Sequence, residues 1–168
     1  MCTELLRALP DYWLATVTTL LAFFTLWLVI ESKDAARKQL GVNTWLHFIE
    51  RWDSPQMRGE RKKLAQAILR EESNYDSDPV LDLLEQISTA YLDNCLGKKL
   101  TYSSFSHDAE HWLFILKGRI HNLRTSMSDE SVYEDLENMV LAIRKGHPKD
   151  PPVTGPGAHE YLDGEATL

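Results

Sequence analysis

Charged and apolar positions divide the chain into one uncharged run near its start and a series of amphipathic segments after it. The run extends from Tyr12 to Ile30, nineteen residues without a charge. At about 1.5 Å rise per residue, a helix of that length spans roughly 28 Å, close to the hydrocarbon thickness of a bilayer. Trp13 and Trp27 lie near its ends, where aromatic rings favour the membrane interface. The run therefore predicts a transmembrane helix over residues 12–30, after an N-terminal segment of residues 1–11.

Three other interpretations of this run fit the flanking residues less well. A cleavable signal peptide has a basic start and a small-residue exit, whereas Glu4 and Asp11 here outnumber Arg7 and the run ends in LVIESKD. A buried core helix that is apolar on all sides needs a larger domain around it than about 100 residues provide. A lipoprotein signal places the apolar run before its cysteine, and here it follows Cys2.

Apolar residues after the run recur at helical spacing. One helix face consists of residues at i, i+3, i+4 and i+7, namely Trp45, Phe48, Ile49 and Trp52. Ser54-Pro55 and Asp78-Pro79 are typical helix starts, a capping residue followed by proline at the first helical position. A stripe from Val80 continues to Cys95, and a longer one runs from Phe105 through Trp112 to Leu123. We expect Ser126 or Ser128 to cap a last helix.

These elements predict an all-α chain without strands. The transmembrane helix continues into a juxtamembrane helical linker, 31–42, and a helical domain, 43–145, forms a bundle of about four helices. The last segment, 146–168, is rich in proline and glycine and poor in apolar residues, so we expect it to be disordered.

Charge and cysteine content constrain partners and location. The chain has a formal net charge of −7, which disfavours nucleic acid as a partner because phosphate binding needs a basic surface. Lys33, Arg37 and Lys38 follow the span and only Arg7 precedes it, so the C-terminal side is expected to be cytoplasmic, at an inner membrane. Cys95 has no cysteine partner within the domain, as is usual in a reducing compartment.

The segment around Trp52 resembles a known protein family. Residues 48–65 and 80–87 are similar to a family of bacterial and phage single-pass membrane proteins known only as a domain of unknown function. The similarity covers roughly residues 12–120 and implies membrane attachment and a helical fold, but no activity. The positions that match its motifs are Trp52, Asp53, Ser54, Pro55, Met57, Arg58, Arg61, Leu84, Glu85 and Trp112. Leu84 departs from the family, which carries an aromatic residue there.

The sequence offers one candidate for metal chemistry. His107 and His111 fit the pattern H-x-x-E-H, in which histidines four apart on a helix share a metal. A metalloenzyme would need a third ligand from another helix, for which Glu134 and Glu137 on the last helix are the candidates. The other interpretation is a polar outer face, and we favour it: the chain is expected to be non-enzymatic and to use no cofactor. Cys95 is expected to be a small buried apolar residue.

Two further sets of residues are candidate contact sites. Arg58 and Arg61 share a helix face, and Glu85 on the next helix is expected to pair with them, either as a structural ion pair or within a docking surface for an acidic partner or lipid headgroup. Within the span, small residues form one narrow face: Ala15, Thr18, Thr19, Ala22 and Thr25. Such a face allows close helix contact, although threonine also bonds back to its own helix.

The functional hypothesis is a membrane-tethered helical interaction or regulatory module. The span would self-associate or pair with another membrane protein, and the domain would bind an unknown cytosolic protein. A membrane-active effector in bacterial defence or phage competition is the first alternative. A metal-dependent enzyme based on His107 and His111 is the second.

Overall fold

The computed structural model describes residues 2–72 and 74–168, and of residues 2–12, 14, 15 and 34 it describes the backbone alone. The described residues form six α-helices and no strand. The helices are α1 (Cys2–Trp52), α2 (Pro55–Leu69), α3 (Asp78–Leu92), α4 (Lys98–Met127), α5 (Glu134–Gly146) and α6 (Gly155–Ala166). The all-α prediction is confirmed for this part of the chain, but five helices follow α1 rather than four.

The chain divides into two compact units, of which the first ends at Leu40. This unit contains α1 as far as Leu40, and the large apolar side chains between Val17 and Ile30 are exposed. By length and composition, Thr16–Trp52 is a helical segment able to cross a membrane, and among the described residues it is the only one. The predicted linker, 31–42, is helical and continuous with the span. The side chain of Tyr12, the first residue of the predicted span, lies outside the described ones.

The second unit, Gly41–Leu168, is the helical domain, and α3 is its central element. Leu81, Leu83, Leu84 and Ile87 on α3 are fully buried. Helix α3 packs against α2, α4 and α5. Leu84 lies in the core without exposed surface.

The last turns of α1 belong to this domain, as their apolar spacing predicts. Phe48 and Trp52 are buried, and the Trp52 ring meets Phe105 of α4 edge-on, with centroids 6.3 Å apart. The Ser54 hydroxyl accepts a hydrogen bond from the Met57 amide at 3.2 Å, and Pro55 opens α2. The predicted start at Ser54-Pro55 is confirmed.

Gly41 lies within α1 where another backbone comes close. A Cβ built on Gly41 would lie 3.2 Å from the Cys95 carbonyl oxygen, so this position has little room for a side chain. The prediction that Cys95 is buried was wrong: α3 ends at Leu92, the thiol is exposed, and Leu96 is the buried residue instead. The helical spacing from Val80 does not extend past the end of the helix.

Helix α5 begins six residues later than Ser128. The predicted cap was wrong because α4 continues to Met127, and α5 starts after Tyr133, whose φ of 58° is left-handed. The cap comes from α3: the Glu85 carboxylate accepts hydrogen bonds from the amides of Asp135 at 3.2 Å and Leu136 at 2.8 Å. A carboxylate at a helix N-terminus also interacts favourably with the helix dipole.

The expected disorder of residues 146–168 was wrong, because α6 forms within them. The Thr154 hydroxyl accepts a hydrogen bond from the Gly157 amide at 3.4 Å, and Pro156 lies in the first turn. Ala158 and Leu162 are buried against α2 and α4. A helix of twelve residues is stable here because it packs on a surface that α2 and α4 already form. The low apolar content of the segment therefore did not preclude an ordered helix.

Candidate interaction surfaces

His107 and His111 lie side by side on α4, with ring centroids 4.1 Å apart. The His111 Nδ1 is 2.7 Å from the His107 carbonyl oxygen, which can only accept, so the neutral ring carries its proton on Nδ1. Burial lowers the pKa of His111, although this hydrogen bond opposes the shift. Burial thus favours the neutral imidazole, and the hydrogen bond fixes the orientation of the ring.

The acidic side chains proposed to assist these histidines form ion pairs with arginines instead. Glu110, the acid of the H-x-x-E-H pattern, binds Arg144 at 2.7 Å, and Glu137 binds Arg124 at 3.1 Å. Among the described residues no group of three or more histidine, cysteine, aspartate or glutamate side chains could hold a metal ion. The metal hypothesis thus lacks its third ligand there.

Tyr161 of α6 covers the histidines instead. Its ring stacks on His111 at 4.6 Å and meets Trp112 edge-on at 5.7 Å. Its hydroxyl donates a hydrogen bond to Asp108 Oδ1 at 2.8 Å. Burial, followed by the charge of Asp108, raises the pKa of Tyr161 far above its ordinary value, so the phenol remains a donor. Tyr161 was not among the predicted site residues, although Ala158, Tyr161 and Leu162 have helical spacing in the sequence.

Arg61 of α2 is a buried basic residue beneath α6. Its Nε lies 3.2 Å from Glu165 Oε2, and the two side chains are only 5% and 11% exposed. Its guanidinium carbon lies 4.3 Å from the centre of the Trp52 ring, an attractive cation–π contact. Burial raises the pKa of Glu165, and Arg61 opposes that shift.

The expected pairing of Arg58 and Arg61 with Glu85 was therefore wrong. Arg61 pairs with Glu165, Arg58 pairs with Asp53 at 3.5 Å in an exposed position, and Glu85 caps α5. Burial raises the pKa of Glu85, while the two backbone donors oppose the shift. Helical spacing placed the arginines on one face, but the better partner lay 104 residues away along the chain, in a segment expected to be disordered.

An apolar groove between α4 and α5 is a separate candidate surface. It encloses about 450 Å³, and its lining includes Leu113, Phe114, Val140, Leu141, Pro152 and Val153. Phe114 and Leu141 are 46% and 66% exposed. On the rim, Glu110 is paired with Arg144, whereas Lys117 has no ion-pair partner among the described residues. Four charged residues complete the lining, namely Glu110, Lys117, Glu137 and Arg144.

The small-residue face of α1 is described from Thr18 onwards, and the side chain of Ala15 lies outside the described ones. Thr18, Thr19 and Ala22 are exposed and line a shallow cleft with Phe23 and Leu26. The Thr25 hydroxyl donates a hydrogen bond to the Leu21 carbonyl at 2.7 Å. At Thr25 the intrahelical bond therefore forms, as the alternative interpretation of this face expects.

Comparisons of this chain with protein-family models, with curated proteins and with solved structures find no match, so the resemblance to a family of single-pass membrane proteins stays a prediction.

Proposed function

We propose that the chain is a membrane-tethered, non-enzymatic interaction module. Helix α1 anchors it in the inner membrane, and the helical domain binds a helix of a cytosolic protein partner in the α4–α5 groove. The anchor is supported by the exposed apolar side chains between Val17 and Ile30. The cytoplasmic placement of the domain rests on the basic residues that follow the span.

The observation that carries the proposal is the α4–α5 groove. Phe114 and Leu141 expose much of their apolar surface beside it, and exposed apolar patches mark interaction sites. A groove between two helices fits a third amphipathic helix, whose apolar face replaces the missing packing. Lys117 on the rim has no ion-pair partner in the described part of the chain, which favours a partner helix with a carboxylate beside its apolar face.

Site-specific photo-crosslinking in native membranes tests this proposal. A photoreactive side chain at Leu141 should give a discrete protein adduct. The matched control is Met127, which is 63% exposed but does not line the groove, and it should give none. The substitution Phe114→Arg should abolish the adduct from position 141. Equal labelling from positions 127 and 141, or an adduct insensitive to Phe114→Arg, would refute groove binding.

Membrane attachment is tested separately by alkaline extraction. The wild-type chain should remain in the membrane pellet, whereas Leu20→Arg together with Phe24→Arg should release it, because each charge in a span costs about 2.5–3.5 kcal/mol. Release of the wild-type chain would contradict the anchor. The membrane-active alternative gains no support from Thr25, whose hydroxyl bonds within its own helix.

A further inference from the structure

Helix α6 and the helix beneath it carry opposite charge. Helix α2 has four basic residues and one acidic residue, whereas α6 has three acidic residues and no lysine or arginine. Contacts continue to the end of the chain: Gln66 Nε2 donates to the Ala166 carbonyl at 3.1 Å, and Lys62 Nζ donates to the Leu168 carbonyl at 3.3 Å. The surface of α2 and α4 beneath α6 is here called the seat. Its cations next to α6 are Arg61 and Lys62, because Arg58 and Lys63 pair with Asp53 and Glu60 instead.

The seat also selects a particular apolar pattern. Ala158, Tyr161, Leu162 and Glu165 lie at i, i+3, i+4 and i+7, so they form one face of α6. Leu162 is buried, Tyr161 stacks against α4, and Glu165 reaches Arg61. A helix that fits the seat therefore presents an aromatic residue followed by leucine, with a carboxylate one turn further on.

Helix α6 satisfies this seat incompletely. Arg61 Nε, Glu165 Oε2 and Trp112 Nε1 are buried, and none of them has a hydrogen-bond partner within the described part of the chain. Arg61 and Glu165 approach within 3.2 Å, but their geometry does not form a hydrogen bond. An arginine can bind a carboxylate through two parallel N–H groups, which is stronger than a single close contact. Another helix with a better-placed carboxylate can therefore compete with α6.

The segment between α5 and α6 allows such an exchange without unwinding α5. Residues 147–154 are not helical and contain Pro148, Pro151 and Pro152. The beginning of this segment is fixed to α4, because Tyr102 stacks on His147 at 3.7 Å and its hydroxyl donates to Asp150 at 2.6 Å. Helix α6 can thus leave the seat while α5 and the anchored part of the segment stay in place.

We propose that the seat is a docking site for an acidic amphipathic helix of a partner protein, and that α6 occupies it until that helix displaces α6. The inference rests on the proposed function, because it gives the interaction module a second binding surface, which α6 of the same chain covers. The buried cation of Arg61, with Lys62 at the end of α6, is what commits the seat to an acidic helix.

A labelled synthetic peptide with the sequence of residues 154–168 is the probe, and the full chain in detergent micelles is the target. Leu162→Asp and Glu165→Lys should each uncover the seat. Asp163→Lys makes the same charge change at a side chain that is 63% exposed and is the matched control. A ligand's apparent affinity falls with the fraction of open sites, so the two uncovering variants should bind the peptide at least about tenfold more tightly than wild type. Asp163→Lys should bind it as wild type does.

Arg61→Glu in the Leu162→Asp background should abolish peptide binding, because it removes the cation that the carboxylate needs. Equal affinity in wild type and both uncovering variants, or binding that survives Arg61→Glu, would overturn the proposal. Protection of α3 amides from hydrogen exchange verifies that each variant is folded.

The wild-type chain gives a test that needs no substitution. Saturating peptide should accelerate hydrogen exchange of α6 amides and leave α3 amides unchanged. Unchanged α6 protection would refute displacement, and a dimer that exchanges α6 between two copies would replace the partner helix with a second copy of the chain. The peptide assay needs no partner and groove crosslinking needs no peptide, so the seat and the proposed function can fail independently.

Discussion

Removing the charge of Arg61 should be costly, because it leaves Glu165 buried beside no cation. The two side chains are only 5% and 11% exposed, so solvent cannot replace the lost partner. Breaking a buried ion pair by removing one member typically costs about 3–5 kcal/mol, whereas replacing both members with apolar residues is neutral or stabilising by about 1–4 kcal/mol. We therefore expect Arg61→Met to destabilise the domain by about 3–5 kcal/mol at pH 7. Arg61→Met combined with Glu165→Leu should regain most of that loss.

The pH dependence has a definite sign. Burial already raises the pKa of Glu165, and loss of Arg61 raises it further. When the pKa of a group is higher in the folded state than in the unfolded state, its protonated form favours folding. That contribution to stability is fully present below the pKa of the unfolded state and is lost as the pH rises through the pKa of the folded state. The difference between Arg61→Met and wild type should therefore shrink as the pH falls from 7 towards 4.5, the ordinary value for Glu165.

Urea denaturation of the full chain in detergent micelles, followed by circular dichroism, measures these differences. Hydrogen exchange of α6 amides is measured alongside, because α6 can detach before the rest of the domain unfolds. Arg58→Met is the matched control, since Arg58 and Asp53 form an exposed pair and such pairs contribute only about 0–1 kcal/mol. A cost below about 1 kcal/mol for Arg61→Met, or a double variant as unstable as the single one, would refute the reasoning.

Three further predictions concern the cap, the glycines and the core. Glu85→Ala leaves two α5 amides without their acceptor and should cost about 1–3 kcal/mol in urea denaturation. Gly41→Val meets a carbonyl 3.2 Å from its Cβ and should cost about 1–3 kcal/mol, whereas Gly118→Ala, with nothing within 4 Å, should stabilise α4 by up to about 1 kcal/mol in the same assay. Leu81→Ala removes a fully buried side chain and should lower the free energy of unfolding by about 2–5 kcal/mol, but Leu141→Ala by less than about 0.5 kcal/mol.

Each of these has an outcome that contradicts it. The control for the cap is the exposed residue Glu130, because Glu130→Ala should change the free energy of unfolding by no more than about 0.5 kcal/mol. If Glu85→Ala changed it by no more than Glu130→Ala does, a capping role for Glu85 would be excluded. Equal effects of the two glycine substitutions would exclude steric conflict at Gly41. Equal losses from the two leucine substitutions would contradict the assignment of the core.

Local signals in the sequence were sufficient for most of the helices. The start at Ser54-Pro55 and the buried stripe from Phe105 to Ile120 depend on residues within a few turns of each other, so spacing and capping chemistry predict them. The absence of charge between Tyr12 and Ile30 was sufficient to predict a helix that is long and apolar enough to cross a membrane.

The partners of polar residues could not be predicted in the same way. Arg61 binds an acid on α6 because folding brings the end of the chain onto α2, a long-range event that spacing does not encode. Helix α6 itself was missed because its composition resembles a flexible tail, and its order depends on a surface formed by other helices. The signal available was the start at Thr154 and Pro156 together with the helical spacing of Tyr161 and Leu162.

The capping of α5 by α3 has a consequence for the order of folding. Helix α2 carries its cap, Ser54, in its own sequence, so its first turn can form by local contacts. Helix α5 takes its cap from Glu85, so nucleation of its first turn is favourable only after α3 is in place. Asp82 and Thr89, on either side of Glu85, hold the same end of α5 through Tyr133 and Asp135. We expect α5 to be a late element on the folding pathway, templated by α3, with native contacts that contribute little to the transition state.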